Sequence, residues 1–139
     1  VNSLTTALAD DEMVVSVDLP KQVPGAGWSF AEFARRHGDY ALASVSATVT
    51  RQGGQGRSVR IAAMGVGDTA LRFPAAEQLL EGSAFASEDL ALALRAIDEA
   101  VDPPSDLSAS EEYRRHLVAQ LAGNVLREAW ARAEEGITA

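Results

Sequence analysis

The chain divides by period. Up to about Val66 its apolar residues recur at every second position; from Pro74 onward they recur at every third or fourth. Period two sets alternate side chains on one face of a strand, and period 3.6 sets them on one stripe of a helix. A chain that makes its strands first and its helices afterwards has few folds open to it. Strands close in sequence and joined by short turns pair antiparallel, and the later helices must cover one face of the resulting sheet. The expected class is α+β: a three- to four-stranded antiparallel sheet with three main helices packed on one face. The 139 residues suffice for one domain with one ordinary core, so residues 1–139 are read as a single domain.

Residues 1–11 read as a loose lead-in. Met13, Val15, Val17 and Leu19 then alternate with Val14, Ser16 and Asp18, which predicts a strand with one buried face, ended by Pro20. Val23 to Gly27 is a proline- and glycine-marked loop. Trp28, Phe30 and Phe33 fit either a short strand running into a helical turn or one amphipathic turn. A strand is predicted from Tyr40 to Thr50, with Val45, Ala47 and Val49 on one face and Ser44, Ser46, Thr48 and Thr50 on the other. Gln52-Gly53-Gly54-Gln55-Gly56 is a hairpin connection into a strand over Ser58 to Val66.

The second half carries helix punctuation. Pro74 suits a first turn, and the helix from Ala75 to Glu81 is stopped by Gly82. Ser87 is an expected N-cap, with Glu88 and Asp89 in the first turn and Leu90, Leu94, Ile97 and Val101 on one face. Pro103-Pro104 ends that helix. Ser108-x-x-Glu111 is a possible capping box for a last helix of roughly six turns. Tyr113, Leu117, Leu121 and Val125 line one stripe of it, with Val118, Ala122, Leu126 and Trp130 alongside.

Composition removes several functions. The formal net charge of −8 disfavours nucleic acid and anionic membrane surfaces as partners, since both require clustered Lys and Arg. No apolar run approaches the length of a transmembrane helix. The N-terminus V-N-S-L-T-T has no basic stretch followed by an apolar block, so no signal peptide is expected. A first residue other than Met suggests a fragment or a processed product. With no cysteine, the chain makes no disulfide and no thiolate metal site, which fits a cytoplasmic protein.

Three polar motifs stand out. Arg35-Arg36-His37-Gly38-Asp39-Tyr40 crowds charge and one aromatic ring between two apolar elements. Two readings stay open for it. One is a polar turn with a helix C-cap at Gly38 and a core tyrosine. The other is a loop over a planar ligand, in which Tyr40 shields or stacks, Asp39 accepts a hydrogen bond and the arginines supply charge. Gly65-Val66-Gly67-Asp68-Thr69 lacks the third glycine of a dinucleotide fingerprint and reads as a strand-ending turn. In Tyr113-Arg114-Arg115-His116, Tyr113 is expected to pack inward and the arginines to pair with the acidic surface. His37 and His116 are isolated from further ligands, so no metal site is expected, and nothing supports a catalytic nucleophile.

Five segments occur in a familiar order: D-E-M-V-V-S-V-D-L-P at 11–20, F-A-E-F-A-R-R-H-G-D-Y-A-L-A at 30–43, R-I-A-A-M-G-V-G-D-T-A-L-R at 60–72, A-A-E-Q-L-L-E-G at 75–82, and D-P-P-S-D-L-S-A-S-E-E-Y-R-R-H-L at 102–117. The series resembles the C-terminal domain of the FAD-binding medium subunit of molybdenum hydroxylases, the carbon monoxide dehydrogenase and xanthine dehydrogenase family. The resemblance implies an oxidoreductase assembly in which electrons pass from a molybdenum cofactor in a large subunit, through two iron–sulfur clusters in a small subunit, to FAD and then to an acceptor. It implies that FAD is shared with an N-terminal FAD-binding domain that is absent here, and that this chain alone is inactive. It implies a flavin-proximal role for Asp39 and Tyr40, and also for Arg35, Arg36 and Gly38. For the Tyr113-Arg114-Arg115 segment it implies a structural role, with an arginine anchoring the last helix. Some members carry a lysine ahead of the arginine pair; here Ala31, Glu32 and Ala34 surround Phe33. The competing expectation is a free-standing interaction or dimerisation module without flavin contact, using the sheet face that bears Ser44, Ser46 and Thr48.

Overall fold

Residues 5–134 are described by the structure, a computed structural model. Four strands form one antiparallel sheet in sequence order: β1 (Gly27–Phe33), β2 (Ala43–Gln52), β3 (Gln55–Met64) and β4 (Leu71–Arg72). Three helices follow: α1 (Pro74–Leu80), α2 (Ser87–Ala100) and α3 (Glu111–Arg132). The register sets Ser29 beside Ala47 and Ala47 beside Ile61, so Ala31, Val45, Ala47, Ile61 and Ala63 share the inner face. There α3 lies across β1 and β2 while α1 covers β3, and α2 packs on the two other helices. Leu117, Val118, Ala122, Val125 and Leu126 of α3 close the core over the strands. The expected α+β architecture is the observed one, and the two-residue turn Gly53-Gly54 joins β2 to β3 as the hairpin reading required.

Several local expectations need correction. Residues 13–19 form no strand among the described residues, and Met13, Val15, Val17 and Leu19 lie exposed. Alternation shapes an amphipathic strand but cannot supply the neighbour it must bond to. The predicted 40–50 strand begins only at Ala43, leaving Tyr40 in a loop. Two helix caps also shift. Ala86 precedes α2, with its N–H held by the Asp89 carboxylate, and Ser110 caps α3 by accepting from the Tyr113 N–H. Finally, Trp28–Phe33 is wholly strand, and the short β4 was not foreseen. The expected lead-in over 1–11 falls partly outside the described residues.

The outer edge of β3 shows why so short a β4 is tolerated. β4 pairs only with Ala62 and Ala63. Beyond it, two carboxylates, one from α1 and one from the residue that caps its C-terminus, take the place of a strand. Glu77 accepts from the Ile61 N–H at 2.9 Å, and Glu81 accepts from the Ser58 and Val59 N–H groups at 3.1 and 3.2 Å. The spacing explains the match. Four residues of helix rise about 6 Å, close to the roughly 6.6 Å spanned by two residues of strand, so Glu77 and Glu81 meet Ile61 and Val59 in step. Arg72 completes the arrangement with a two-pronged bond to Glu77, at 2.9 and 2.7 Å. Burial opposes the charge on Glu77, but the bonds from Arg72 and the Ile61 N–H, with the nearby charges of Arg72 and Arg60, outweigh it and hold the carboxyl below the ordinary glutamate range.

At one end of the sheet, Arg114 in the first turn of α3 is buried. Its Nη1 donates to the carbonyls of Leu42, where β2 begins, and of Gly65, where β3 ends; its Nη2 pairs with Asp106 at 2.8 Å. One guanidinium thus joins three connections. Gly65 has a φ of +78°, and a Cβ there would sit 2.6 Å from the Leu42 carbonyl oxygen, so the close approach of these connections requires glycine. The arginine that the resemblance expects to anchor the last helix is Arg114, and Arg115 pairs with Glu111 at the surface as the spacing predicts. The correction is that Arg114 points inward, while Tyr113 stays 42% exposed with its ring edge-on to Phe33 at 6.3 Å. The physical reason is that two inward-facing carbonyls at a sheet end demand a donor, and a forked cation serves both at once.

Two outcomes follow. Glu77 has a depressed folded-state pKa, so its contribution is complete above the unfolded value of about 4.3 and is lost as pH falls through the lower folded value. Thermal melts from pH 7 to pH 3 should show a steeper acid decline for the wild type than for Glu77→Gln, which should already be about 1–2 kcal/mol less stable at pH 7. Arg114→Ala, which strands two carbonyls, should cost about 2–4 kcal/mol in urea unfolding, with Arg114→Lys recovering only part. A loss under about 0.5 kcal/mol, the range of ordinary surface substitutions, would show that Arg114 is not the anchor.

Candidate functional site

The segment linking β1 to β2, residues 34–42, is an outward loop pinned at its root and bare at its tip. The Leu42 N–H donates to the Phe33 carbonyl at 2.7 Å, closing the loop where the strands meet. Within it, the Asp39 N–H donates to the Arg36 carbonyl at 3.2 Å, forming a tight turn with Gly38 at its centre. Gly38 has a φ of +90° but open space around it, so glycine is required by backbone conformation and not by crowding. Arg35, Arg36, His37, Asp39 and Tyr40 are all exposed. Tyr40 is 99% exposed, which removes the reading of it as a core tyrosine.

A second loop stands opposite. Pro103 is buried after α2, and Asp106 then organises residues 106–109. Its carboxylate accepts from the Ser108 and Ala109 N–H groups at 2.8 and 3.0 Å, while its own N–H donates to the Ala109 carbonyl. Those backbone bonds, and the bond from Arg114, keep the Asp106 carboxyl below the ordinary aspartate range. Leu107 projects from this turn fully exposed, as Tyr40 does from the other loop.

Between the two loops lies an open cavity of about 340 Å³ lined by Arg35, Gly38, Asp39, Tyr40, Leu42 and Ser108. Four of the five residues singled out from the sequence therefore meet at one place. The fifth, Arg36, is exposed but does not line the cavity; its carbonyl shapes the turn. Leu42 and Ser108 were missed. A leucine among polar residues after a Pro-Pro stop marks the second loop in the sequence, but nothing there says which other loop it faces. Arg114 supplies that link, since it bonds Leu42 with one nitrogen and Asp106 with another. Chemically, the cavity offers positive charge, a carboxylate acceptor and one unencumbered aromatic face. It holds no nucleophile paired to a base, and no cluster of three potential metal ligands occurs among the described residues.

The remaining candidates are placed as follows. Residues 65–69 form a strand-ending turn, and both His37 and His116 lie exposed. No helix among the described residues is long and apolar enough to cross a membrane. The outer sheet face is not the simple polar surface foreseen. Ser44 is buried and Ser46 half-buried, while Trp28 and Phe30, each half-exposed, flank Thr48 and Ser46 in a groove of about 440 Å³.

Comparison with known proteins bears on the fold that carries these loops. Residues 28–129 match the CO dehydrogenase flavoprotein C-terminal domain. The 6-hydroxypseudooxynicotine dehydrogenase complex subunit alpha of Paenarthrobacter nicotinovorans is 34% identical over 96% of this chain and 45% of its own length. The carbon monoxide dehydrogenase medium chain of Hydrogenophaga pseudoflava is 31% identical over 91% of this chain and 44% of its own. Among solved structures, carbon monoxide dehydrogenase from Hydrogenophaga pseudoflava superposes with a TM-score of 0.80 at 34% identity, over 84% of this chain and 40% of that one. Quinoline 2-oxidoreductase from Pseudomonas putida 86 gives 0.70 at 33% identity, over 78% and 39%. The chain thus spans less than half the length of the relatives it matches. With its sheet order, its helical cover and the match across 28–129, this chain belongs to the CO dehydrogenase flavoprotein C-terminal domain family.

Proposed function

We propose that this chain is the C-terminal domain of the medium subunit of a molybdenum hydroxylase-type dehydrogenase, and that its 34–42 loop walls one side of a flavin site. The observation that carries the proposal is Tyr40: a tyrosine fully exposed at the tip of a loop whose root is locked by Arg114. Contact with solvent gives no reason to set an aromatic ring there, but a planar cofactor held by a neighbouring domain does. The residues fit that group. Tyr40 would cover the ring, Asp39 would accept from a ring N–H, and Arg35 would favour negative charge on it. Arg36 and Gly38 would set the turn.

Bound FAD, held chiefly by an N-terminal domain, would supply electron transfer between iron–sulfur centres and an acceptor. This chain's residues would orient it and limit its access to water. The proposed partners are that FAD-binding domain, a large subunit with the molybdenum cofactor, and a small subunit with [2Fe-2S] clusters. The chain alone would catalyse nothing, and the assembly would be cytoplasmic. Two relatives that share the domain carry the names of different substrates, carbon monoxide and 6-hydroxypseudooxynicotine, which supports placing substrate choice elsewhere.

A second reading, an interaction module free of flavin, draws on the half-exposed Trp28 and Phe30 of the outer sheet face. The two separate in the complete flavoprotein subunit. Asp39→Ala and Tyr40→Ala should each shift the flavin absorption band and change its rate of reduction about fivefold, the equivalent of one hydrogen bond of about 1 kcal/mol. Unchanged spectra and rates in both, with Trp28→Ser instead breaking subunit association on a sizing column, would favour the interaction module.

A further inference from the structure

The loop between α2 and α3 is tied down at many points, yet it presents a leucine to water. The Asp106 carboxylate accepts from the Ser108 and Ala109 N–H groups and from Arg114. The Asp106 N–H donates to the Ala109 carbonyl, and the Ser105 hydroxyl accepts from the Glu111 N–H at 2.8 Å, which fastens the loop to the start of α3. Pro103 and Ala109 are buried on either side. Leu107, in the middle, is 105% exposed, more than any other large apolar residue described. A singly exposed leucine is ordinary on a protein surface, so its meaning comes from its place.

That place is the rim of the cavity of about 340 Å³. Ser108, the next residue, lines the cavity on one side, and Tyr40, 99% exposed, lines it on the other. Among the described residues no backbone hydrogen bond joins the two loops directly. Each is bonded to Arg114 instead, one through the Leu42 carbonyl and the other through the Asp106 carboxylate. One buried guanidinium therefore fixes the width of the gap. A gap of fixed width, with a phenol ring on one wall and an aliphatic side chain on the other, selects by size what passes between them.

We propose that residues 105–109 form the second wall of the flavin site, and that Leu107 sets the size of the electron acceptor that reaches the flavin. The proposal rests on the flavin reading for what lies behind the gap. A volume of 340 Å³ is at the low end for small-molecule sites, which suits dioxygen or a single-ring quinone and excludes a two-ring dye. An acceptor that passes takes two electrons and two protons from reduced FAD; dioxygen leaves as hydrogen peroxide, and a quinone as its hydroquinone. Leu107 takes no part in that transfer. It acts on approach alone, as a specificity residue.

Collisional quenching of FAD fluorescence in the complete flavoprotein subunit tests the passage without turnover. It is measured on a Tyr40→Phe background, which keeps the size of the ring and removes the phenol. With acrylamide as quencher, Leu107→Gly should raise the quenching constant about twofold, and Leu107→Trp should lower it by a similar factor. In stopped-flow reoxidation of the reduced subunit, Leu107→Gly should speed the two-ring dye dichlorophenolindophenol about tenfold while dioxygen stays within about twofold. Quenching constants and dye rates that stay put in both variants would overturn the proposal. The flavin reading would survive that result if Tyr40→Phe alone still lengthens the flavin lifetime, and would fall with it if the lifetime is also unchanged. Dye and dioxygen rates that rise together would overturn the proposal too, because Leu107 would then not discriminate by size. So would loss of FAD from Leu107→Gly on gel filtration, which would make the leucine a docking contact.

Discussion

The loops at one end of this domain all hang on one buried guanidinium. Arg114 bonds the carbonyls of Leu42 and Gly65 and the carboxylate of Asp106, so the β1–β2 connection, the turn after β3 and the loop before α3 are all referred to a single point. No other side chain type could do this. Lysine offers its protons from one nitrogen, whereas the planar fork reaches a pair of carbonyls on one side and a carboxylate on the other. Because Arg114 lies in the first turn of a six-turn helix that covers the sheet, loop positions are tied to the core and not to one another.

The opposite edge obeys the same logic with the charges reversed. There the sheet lacks a strand, and Glu77 and Glu81 bond its idle N–H groups from a helix. A two-residue β4 would leave a ready template for aggregation, and carboxylates facing that edge remove it. At the start of β1, Arg132 and the backbone after α3 bond the carbonyls of Trp28 and Gly25, so helix groups meet the sheet there as well.

Much of this was legible in the chain. Period two in Val45, Ala47, Val49, Val59, Ile61 and Ala63 placed the central hairpin on its correct face, and the stripe Leu117, Leu121, Val125 with Val118, Ala122 and Leu126 placed α3. Gly38, Asp39 and Tyr40 were legible as an exposed polar loop because so much polarity between two apolar elements has no packing purpose, and the structure sets them along one cavity. What escaped were long-range facts. Alternation at 13–19 described a strand without saying whether a partner existed. Tyr113 and Arg114 were exchanged because apolar preference decides burial only until two backbone carbonyls need a donor. Ser108 was invisible as a site residue because its loop is joined to the other by contacts from a third place in the chain.

The central claim is that Tyr40, held out by the Arg114 anchor, covers a flavin ring. The fluorescence lifetime of FAD in the complete subunit tests it most directly, because a tyrosine in contact with the ring quenches its emission by electron transfer and a phenylalanine does not. The account predicts a short lifetime that lengthens markedly in Tyr40→Phe, with fold and flavin content unchanged. An identical decay in the two proteins would contradict it.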